Sequence, residues 1–590
     1  MIVPMKTAFL LISRQDRDEA LEGLQRLGVM HLSVLDALES EEVEEARVEL
    51  DRLRQLRERL PHEFGKEDLE CAPGDRFDLQ EVWRILDRRR RLREKLEELD
   101  AECERIRPFG TFDPETVRFL AKRGLTVRLY QSSGAMEPEI PSGAIAVETS
   151  RDRERVCFAV IGFGELEVQA TEVALPARSL NELEAERQRL ASEIEAVNAS
   201  LAKYAGCVEQ LQQEHIEALD RLRFVRARAS LAEQGPAFCL KGFVPESGLE
   251  DLRRKAADSG WGLYVRDVRK DESPPTLLRL PAWVRPIRSV FELIGVVPGY
   301  FETDISTPFL LFLSLFFAMI VGDAGYGALF VGGSLLARHF TSIPRQAFQL
   351  LLIMSLCTVV WGLLIGNIFG LPRLPAFMEP LGADWLTGPS SDRHLMLLCF
   401  IIGAAQLTLA HIWRLLLLLP ELRFLAQLGW IMITWSMFFA ARSLVLLEPF
   451  PGAMLWVLAA GIGLVVVFML PLRSFAANWS EYVRLPLDLI SSFVDLVSYI
   501  RLFAVGTATL AIAAAFNEMA VEVGFQGVLS GAAAAGIIFF GHTLNILLAG
   551  MGVLVHGVRL NTLEFAGHTG IQWTGTPYTP FAYAQRGTLG

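Results

Sequence analysis

Apolar and polar positions follow three rhythms along this chain, and each predicts a different kind of structure. Residues 7–13 read as a strand, residues 16–27 as an amphipathic helix stopped by Gly28, and residues 29–34 as a second strand, the opening of a small α/β module. A 3-4 rhythm follows. Val43, Ala46, Leu50, Leu53 and Leu60 keep it, as do Leu92, Leu96, Leu99, Cys103 and Ile106 up to Pro108, and again Leu183, Leu190, Ile194, Val197, Leu201 and Tyr204. The positions between are mostly Glu, Arg, Asp and Gln, so these seams predict coiled-coil helices. Residues 126–165 lie between the two heptad blocks and contain the strand-like TVRLY and VCFAVIGF. The strand-like residues 238–245, a helix from Leu249 and a strand over 262–268 follow the second block. This order predicts a long helical hairpin with an α/β lobe at each end, with two separate helical bundles as the alternative.

The third rhythm is unbroken apolar sequence, as in residues 308–319, 350–368 and 454–472. Eight membrane spans are predicted, starting near Pro308, Tyr326, Gln346, His394, Leu425, Met454, Leu485 and Val528. The expected fold is mostly α. A cytosolic arm occupies 1–285, with coiled coil over roughly 40–107 and 178–230, then a linker over 286–307 and an eight-helix membrane domain over 308–590, ending in two long helices.

Charge sharpens this division. Of 590 residues, no lysine follows Lys270, and the net charge of −12 argues against a nucleic-acid partner. Expected inner loops hold Arg338, Arg345, Arg414, Arg423, Arg473 and Arg484. Expected outer loops hold Arg373, Arg393 and Arg442 among Glu379, Asp384, Asp392, Glu448, Glu518 and Glu522. The bias places the N-terminal half and the C-terminus on the cytoplasmic side of the cell membrane. The seven cysteines are scattered without a CxxC pair, so neither a zinc site nor a disulfide framework is expected. Gly65–Lys66 is followed by Glu67, so no phosphate-cradling loop is present there. No cofactor or metal is expected.

Two arginines break the apolar rule. Arg501 lies deep in residues 485–517, where a guanidinium stays charged and costs about 3 kcal/mol at mid-membrane. Asp495, Ser498 and Arg501 step round an α-helix by about 60° each, making a polar arc that Glu481, Arg484 and Asp488 precede. In the last span His542, Asn545, Ala549, Gly552, His556 and Arg559 share one face at 3-4 spacing. A hydrogen-bonded structural interface is the bland account of that stripe. Arg501 and Arg559 are expected to be functional intramembrane arginines. Glu481, Asp488, Asp495, Ser498, His542, Asn545, His556 and Glu564 are candidates to line an ion path. An arginine at this depth calls for a carboxylate, which is expected on another chain.

SYIRLFAVG (residues 498–506), VHGVRLNTLEF (555–565) and YTPF (578–581) resemble the membrane stator of the rotary V/A-type ATPases, called subunit a or subunit I. FFAMIVGDAGYG (316–327) and IRPFGTFDPE (106–115) agree with it. The resemblance implies that Arg501 and Arg559 face a c-ring of subunits K or L, each carrying a membrane carboxylate. It implies an arm that binds the peripheral-stalk subunits E and G, docks near the C (d) component of the central stalk, and meets subunits A and B only indirectly. Two departures stand out: Thr509 where some relatives have histidine, and Asp495 where the family often has Asn. The competing class is a self-contained transporter or channel with a regulatory coiled coil. A membrane-anchored scaffold is a third, and it leaves both arginines unexplained.

Overall fold

The heptad seams become paired helices in a computed structural model. It describes the chain except for residues 34–39, 65–77, 134–139, 153–154, 165, 167, 206–207, 235–236, 342, 372–382, 470–479 and 585–590. The described chain divides into two compact units. One comprises Ser13–Gly28, Val34–Phe238 and Ala582–Gly590, the other Met1–Ile12, Val29–Ser33 and Cys239–Phe581.

The helices of the first unit are α1 (Arg17–Leu27), α2 (Glu41–Phe64), α3 (Leu79–Ile106), α4 (Pro114–Ala121), α5 (Leu180–Ala205) and α6 (Val208–Ala229). α1 stops where Gly28 turns left-handed, with φ 63°. The Asp78 carboxylate caps α3 by accepting from Gln80 N and Glu81 N. α3 lies against α5 and α2 against α6. Leu53, Leu56, Val82, Leu92, Ile194, Val197, Leu201 and Leu211 interlock in the seam, so the heptad residues are the core. The insert forms a four-stranded antiparallel sheet in the order Ile145–Arg151, Arg155–Phe163, Leu125–Ser133, Thr171–Val173.

The second unit carries a sheet in which His31–Leu32, Ala237–Pro245, Met5–Ser13 and Gly262–Asp267 lie side by side. α7 (Leu249–Asp258) connects Ala237–Pro245 to Gly262–Asp267. Glu272 locks this sheet. Its carboxylate, 8% exposed, takes Arg266 Nη2 at 2.7 Å and Lys241 Nζ at 2.7 Å. It also accepts from Thr7 Oγ1 at 3.0 Å and Arg269 N at 3.1 Å. The Arg266 guanidinium, helped by Lys241, holds the Glu272 carboxyl well below the usual carboxylate range despite burial. A lowered folded pKa stabilises fully above the unfolded value of about 4.3 and gives that stability up as pH falls toward the folded value. Glu272→Ala is therefore expected to destabilise the detergent-extracted protein at pH 7 by about 2 kcal/mol, because it leaves Arg266 and Lys241, 18% and 29% exposed, without their shared carboxylate. Thermal unfolding checks this: the gap to wild type narrows below about pH 4, and equal stability at pH 7 refutes the lock.

From this sheet the chain passes through α8 (Arg288–Ile294) into the apolar helices. These are α9 (Ser306–Val321), α10 (Ala324–Phe340), α11 (Arg345–Leu364), then the short α12 (Asp384–Thr387), α13 (Ser391–Leu418), α14 (Phe424–Leu446), α15 (Ala453–Phe468), α16 (Ser480–Val497), α17 (Ile500–Val523), α18 (Val528–Gly552) and α19 (Ala566–Thr569). Each of the eight expected span starts falls inside a helix. Five apolar runs are long enough to cross a membrane: Arg345–Leu364, Ser391–Leu418, Phe424–Leu446, Tyr482–Val523 and Val528–Thr569. α9 and α15 are apolar but shorter. Arg373, Glu379 and Arg473 lie outside the described residues.

Close packing explains the small residues. A Cβ on Gly429 of α14 would sit 2.7 Å from the Gly461 carbonyl of α15, and one on Gly461 would sit 2.9 Å from the Gly429 carbonyl. At GDAGYG, Gly322 ends α9 left-handed and Asp323 starts α10 by accepting from Tyr326 N at 3.0 Å. After α19 the chain returns to the sheet. Thr276 N donates to Thr576 O at 2.8 Å, Tyr578 Oη to Val29 O at 2.6 Å and Phe581 N to Met30 O at 2.8 Å. The sheet thus adjoins both the entry to the membrane helices and their exit.

Candidate arginine–carboxylate site

Two departures from α-helical geometry build the site. Between α16 and α17, Tyr499 N bonds to Leu496 O, Arg501 N to Ser498 O and Leu502 N to Tyr499 O, each three residues back. Such a tight turn stacks residues i and i+3, so Ser498 and Arg501 align where an α-helix would splay them. In the last helix, Val553–Gly557 and Leu560–Phe565 are π-helical, and Arg559 stands between them. The wider turns bring positions five apart together, here Arg559 and Glu564.

Arg501 Nη2 donates to Glu564 Oε1 at 2.5 Å, and its Nε donates to Ser498 O at 2.9 Å. Arg559 Nε lies 3.6 Å from the same Oε1. Ser498 Oγ is 2.6 Å from the Asp495 carbonyl and 3.3 Å from Glu564 Oε1. Glu564 is 4% exposed, Arg501 23% and Arg559 56%. Two guanidiniums on one carboxylate leave a positive charge over, and Arg559 is the open side of the cluster. Arg501 thus has one carboxylate partner on its own chain, Glu564. Glu564 Oε2 is buried and has no partner among the described residues.

A buried amide ladder holds both distortions in place. Tyr499 Oη donates to Gln406 Oε1 at 2.8 Å, Gln406 Nε2 to Asn561 Oδ1 at 3.0 Å, and Asn561 Nδ2 to the Gly557 carbonyl at 3.2 Å. Sequence reasoning missed Gln406 and Asn561. The available signal was Gln406, an amide alone in the apolar middle of α13.

Two cavities lie along the helices that carry this centre, one beside it and one well removed. One of ≈ 510 Å³ is lined by Asp488, Asp495, Arg414, Arg423, His411 and His568, among others. Another of ≈ 480 Å³ lies toward the far end of α17, lined by Asn517, His542, Thr543, Phe369 and Phe539. There His542 Nδ1 is 2.6 Å from Tyr326 Oη and its Nε2 is 3.1 Å from Asn517 Oδ1. Asn545 Nδ2 donates to Tyr326 Oη at 3.0 Å and to Thr509 O at 2.8 Å. The candidates therefore sort into a centre (Arg501, Arg559, Ser498, Glu564), a near cavity (Asp488, Asp495) and a far one (His542, with Asn545 behind it). His556 lies within electrostatic reach of Arg501 and Arg559, and its buried Nδ1 has no hydrogen-bond partner among the described residues. The Glu481 side chain lies outside the described residues.

No protein-family model matches the chain. It is 29% identical to V-type ATP synthase subunit I 1 of Treponema pallidum, over 98% of this chain and 100% of the relative. It is 28% identical to V-type ATP synthase subunit I of Borreliella burgdorferi, over 98% of this chain and 99% of the relative. The A-type ATP synthase subunit I of Methanocaldococcus jannaschii is 23% identical over 69% of this chain and 64% of its own length.

Proposed function

We propose that this homologue of V-type and A-type ATP synthase subunit I is the membrane stator of a rotary ion-translocating ATPase or ATP synthase and makes or breaks no covalent bond itself. The observation that carries the reading is a pair of membrane arginines sharing one buried carboxylate, with a cavity on either side along the helix. The excess positive charge suits a mobile carboxylate arriving from a c-ring built of K or L subunits. An opposite charge within about 4–6 Å lowers a carboxylate's pKa by 1–3 units, so the ring site gives up its ion as it passes Arg559 and Arg501. The same charge bars a loaded, neutral ring site from being carried straight back.

The near and far cavities act as two half-channels, each open to one side of the membrane. An ion that leaves on one side is replaced from the other only after the ring has turned, which couples rotation to net transfer. The return of the C-terminal segment to the N-terminal sheet supports a cytoplasmic location for both ends. The paired α2–α6 and α3–α5 helices suit an arm that binds peripheral-stalk subunits E and G and resists torque. The sheet end docks near the C (d) component of the central stalk, and subunits A and B are reached through the stalks. Purification of the tagged chain from membranes in mild detergent tests the reading. Recovery with a c-ring and nucleotide-binding subunits is expected, whereas recovery alone favours a self-contained transporter.

A further inference from the structure

The strap of chain that follows the last helix sends one side chain back to the π turns of the arginine centre. Trp573 Nε1 donates to the Thr562 carbonyl at 2.9 Å. Thr562 lies between Arg559 and Glu564, inside the π-helical Leu560–Phe565. Trp573 itself has a left-handed backbone, with φ 56°, which a bulky residue rarely adopts and which persists only where its surroundings impose it. Before it, Gln572 N donates to Glu302 Oε1 at 2.9 Å, and after it Gly575 N donates to the Val297 carbonyl at 3.1 Å. A Cβ on Gly575 would stand 2.1 Å from the Pro298 carbonyl, so this anchorage leaves no slack.

The indole ring is held as firmly as the backbone. Its centroid lies 5.8 Å from that of Phe291 and 6.4 Å from that of Phe309, and those two rings meet edge to face at 5.1 Å. The apolar cluster in which these rings pack also contains Val558 and Phe565, the residues just before Arg559 and just after Glu564. The direction of the hydrogen bond is fixed by its chemistry, because an indole N–H only donates and a backbone carbonyl only accepts. Winding this stretch down to an α-helix would turn Glu564 about 140° away from Arg559 and carry the Thr562 carbonyl off the indole. The bond therefore favours the wide turns.

We infer that Trp573 is a positioning residue for ion translocation: its indole, fixed by the anchored strap of residues 572–575, holds the π turns open and so keeps Glu564 between Arg501 and Arg559. The inference rests on the stator reading above. Trp573 acts through the Thr562 carbonyl and through its packing beside Val558 and Phe565. With Glu564 in place the cluster has one positive charge over. With Glu564 swung aside, a ring carboxylate meets two guanidiniums, is held ionised more strongly and reloads only at a higher ion concentration. Trp573 thus sets how much ion the assembly needs, not how fast a loaded ring turns.

Trp573→Phe tests the role, because an aromatic ring still packs on Phe291 and Phe309 while the N–H is lost. ATP-driven ion uptake by inverted membrane vesicles bearing the assembled complex is read against the pH and, separately, the Na⁺ concentration of the outer medium. Whichever of the two limits the wild type is the scale. The half-maximal point should move about fivefold toward more ion, the weight of one hydrogen bond, with the maximal rate kept. In a Glu564→Gln background the same substitution should move nothing further, since both changes act on one carboxylate. Gly575→Ala displaces the strap and leaves the indole intact, and it should shift the half-maximal point the same way. Three results overturn the inference by showing that Trp573 only fills space: a wild-type profile in Trp573→Phe, a lower maximum at an unchanged half-maximal point, or a shift that adds in full to that of Glu564→Gln. Loss of assembly in both single variants overturns it too, by making the strap a folding element. Failure of the stator reading itself shows separately, as undiminished uptake in Arg501→Ala.

Discussion

Arg501→Ala should abolish ATP-driven ion transport while the complex still assembles. Arg501 is the inner of the two cations and its guanidinium spans two acceptors, Glu564 Oε1 at 2.5 Å and the Ser498 carbonyl at 2.9 Å. Removing it leaves Arg559 and Glu564, a neutral pair with no excess charge for a ring carboxylate. A loss of 1–3 units of pKa bias is roughly a 10- to 1,000-fold loss in the fraction of ring sites that release their ion. Lysine should not restore transport, because a compact ammonium lacks the planar fork that reaches both acceptors. Arg559→Ala should cost less, since that side chain is 56% exposed and 3.6 Å from the carboxylate. Vesicle acidification or ion uptake, normalised to the amount of assembled complex, decides the matter. Wild-type transport in Arg501→Ala would sink the mechanism.

What the sequence shows and hides follows from the range of each interaction. The heptad residues Leu53, Leu92, Ile194 and Leu201 are legible because the seam they form repeats locally, and they are the core of the paired helices. Arg501 and Arg559 are legible because a charge in an apolar run stands out at any register. Their partner is harder to see. On an α-helix, Arg559 and Glu564 point about 140° apart, and only the π turns bring them together. The same holds for Ser498 and Arg501, which α geometry splays by about 60° and the tight turn aligns. Neither distortion has a proline to announce it at that position. His411 and His568 are 157 positions apart, so no local periodicity links them, and Asp495 acquires its partner only when three helices meet. The GDAGYG string shows the reverse case: Gly322 and Asp323 carry their helix stop and helix start in their own chemistry.

Glu564→Gln should lower transport by about tenfold and do so in a way that more of the carried ion partly repairs. The amide oxygen still accepts from Arg501, so the packing around the π turns persists. The charge does not: the cluster goes from one net positive charge to two. A ring carboxylate beside it is then held ionised more strongly, and one further unit of bias slows reloading about tenfold. Raising the ion concentration on the loading side pushes against that bias, whereas it does nothing for a misfolded chain. Glu564→Ala goes further, because it takes from Arg501, 23% exposed, the carboxylate it donates to, at a cost of about 2 kcal/mol in the stability of the extracted protein. Replacing Arg501 by Gln in the same chain should return part of that stability, since the two changes act on one pair and do not add. Full transport by Glu564→Gln at ordinary ion concentrations would show that the carboxylate merely neutralises Arg501 and takes no part in setting how firmly the ring is held.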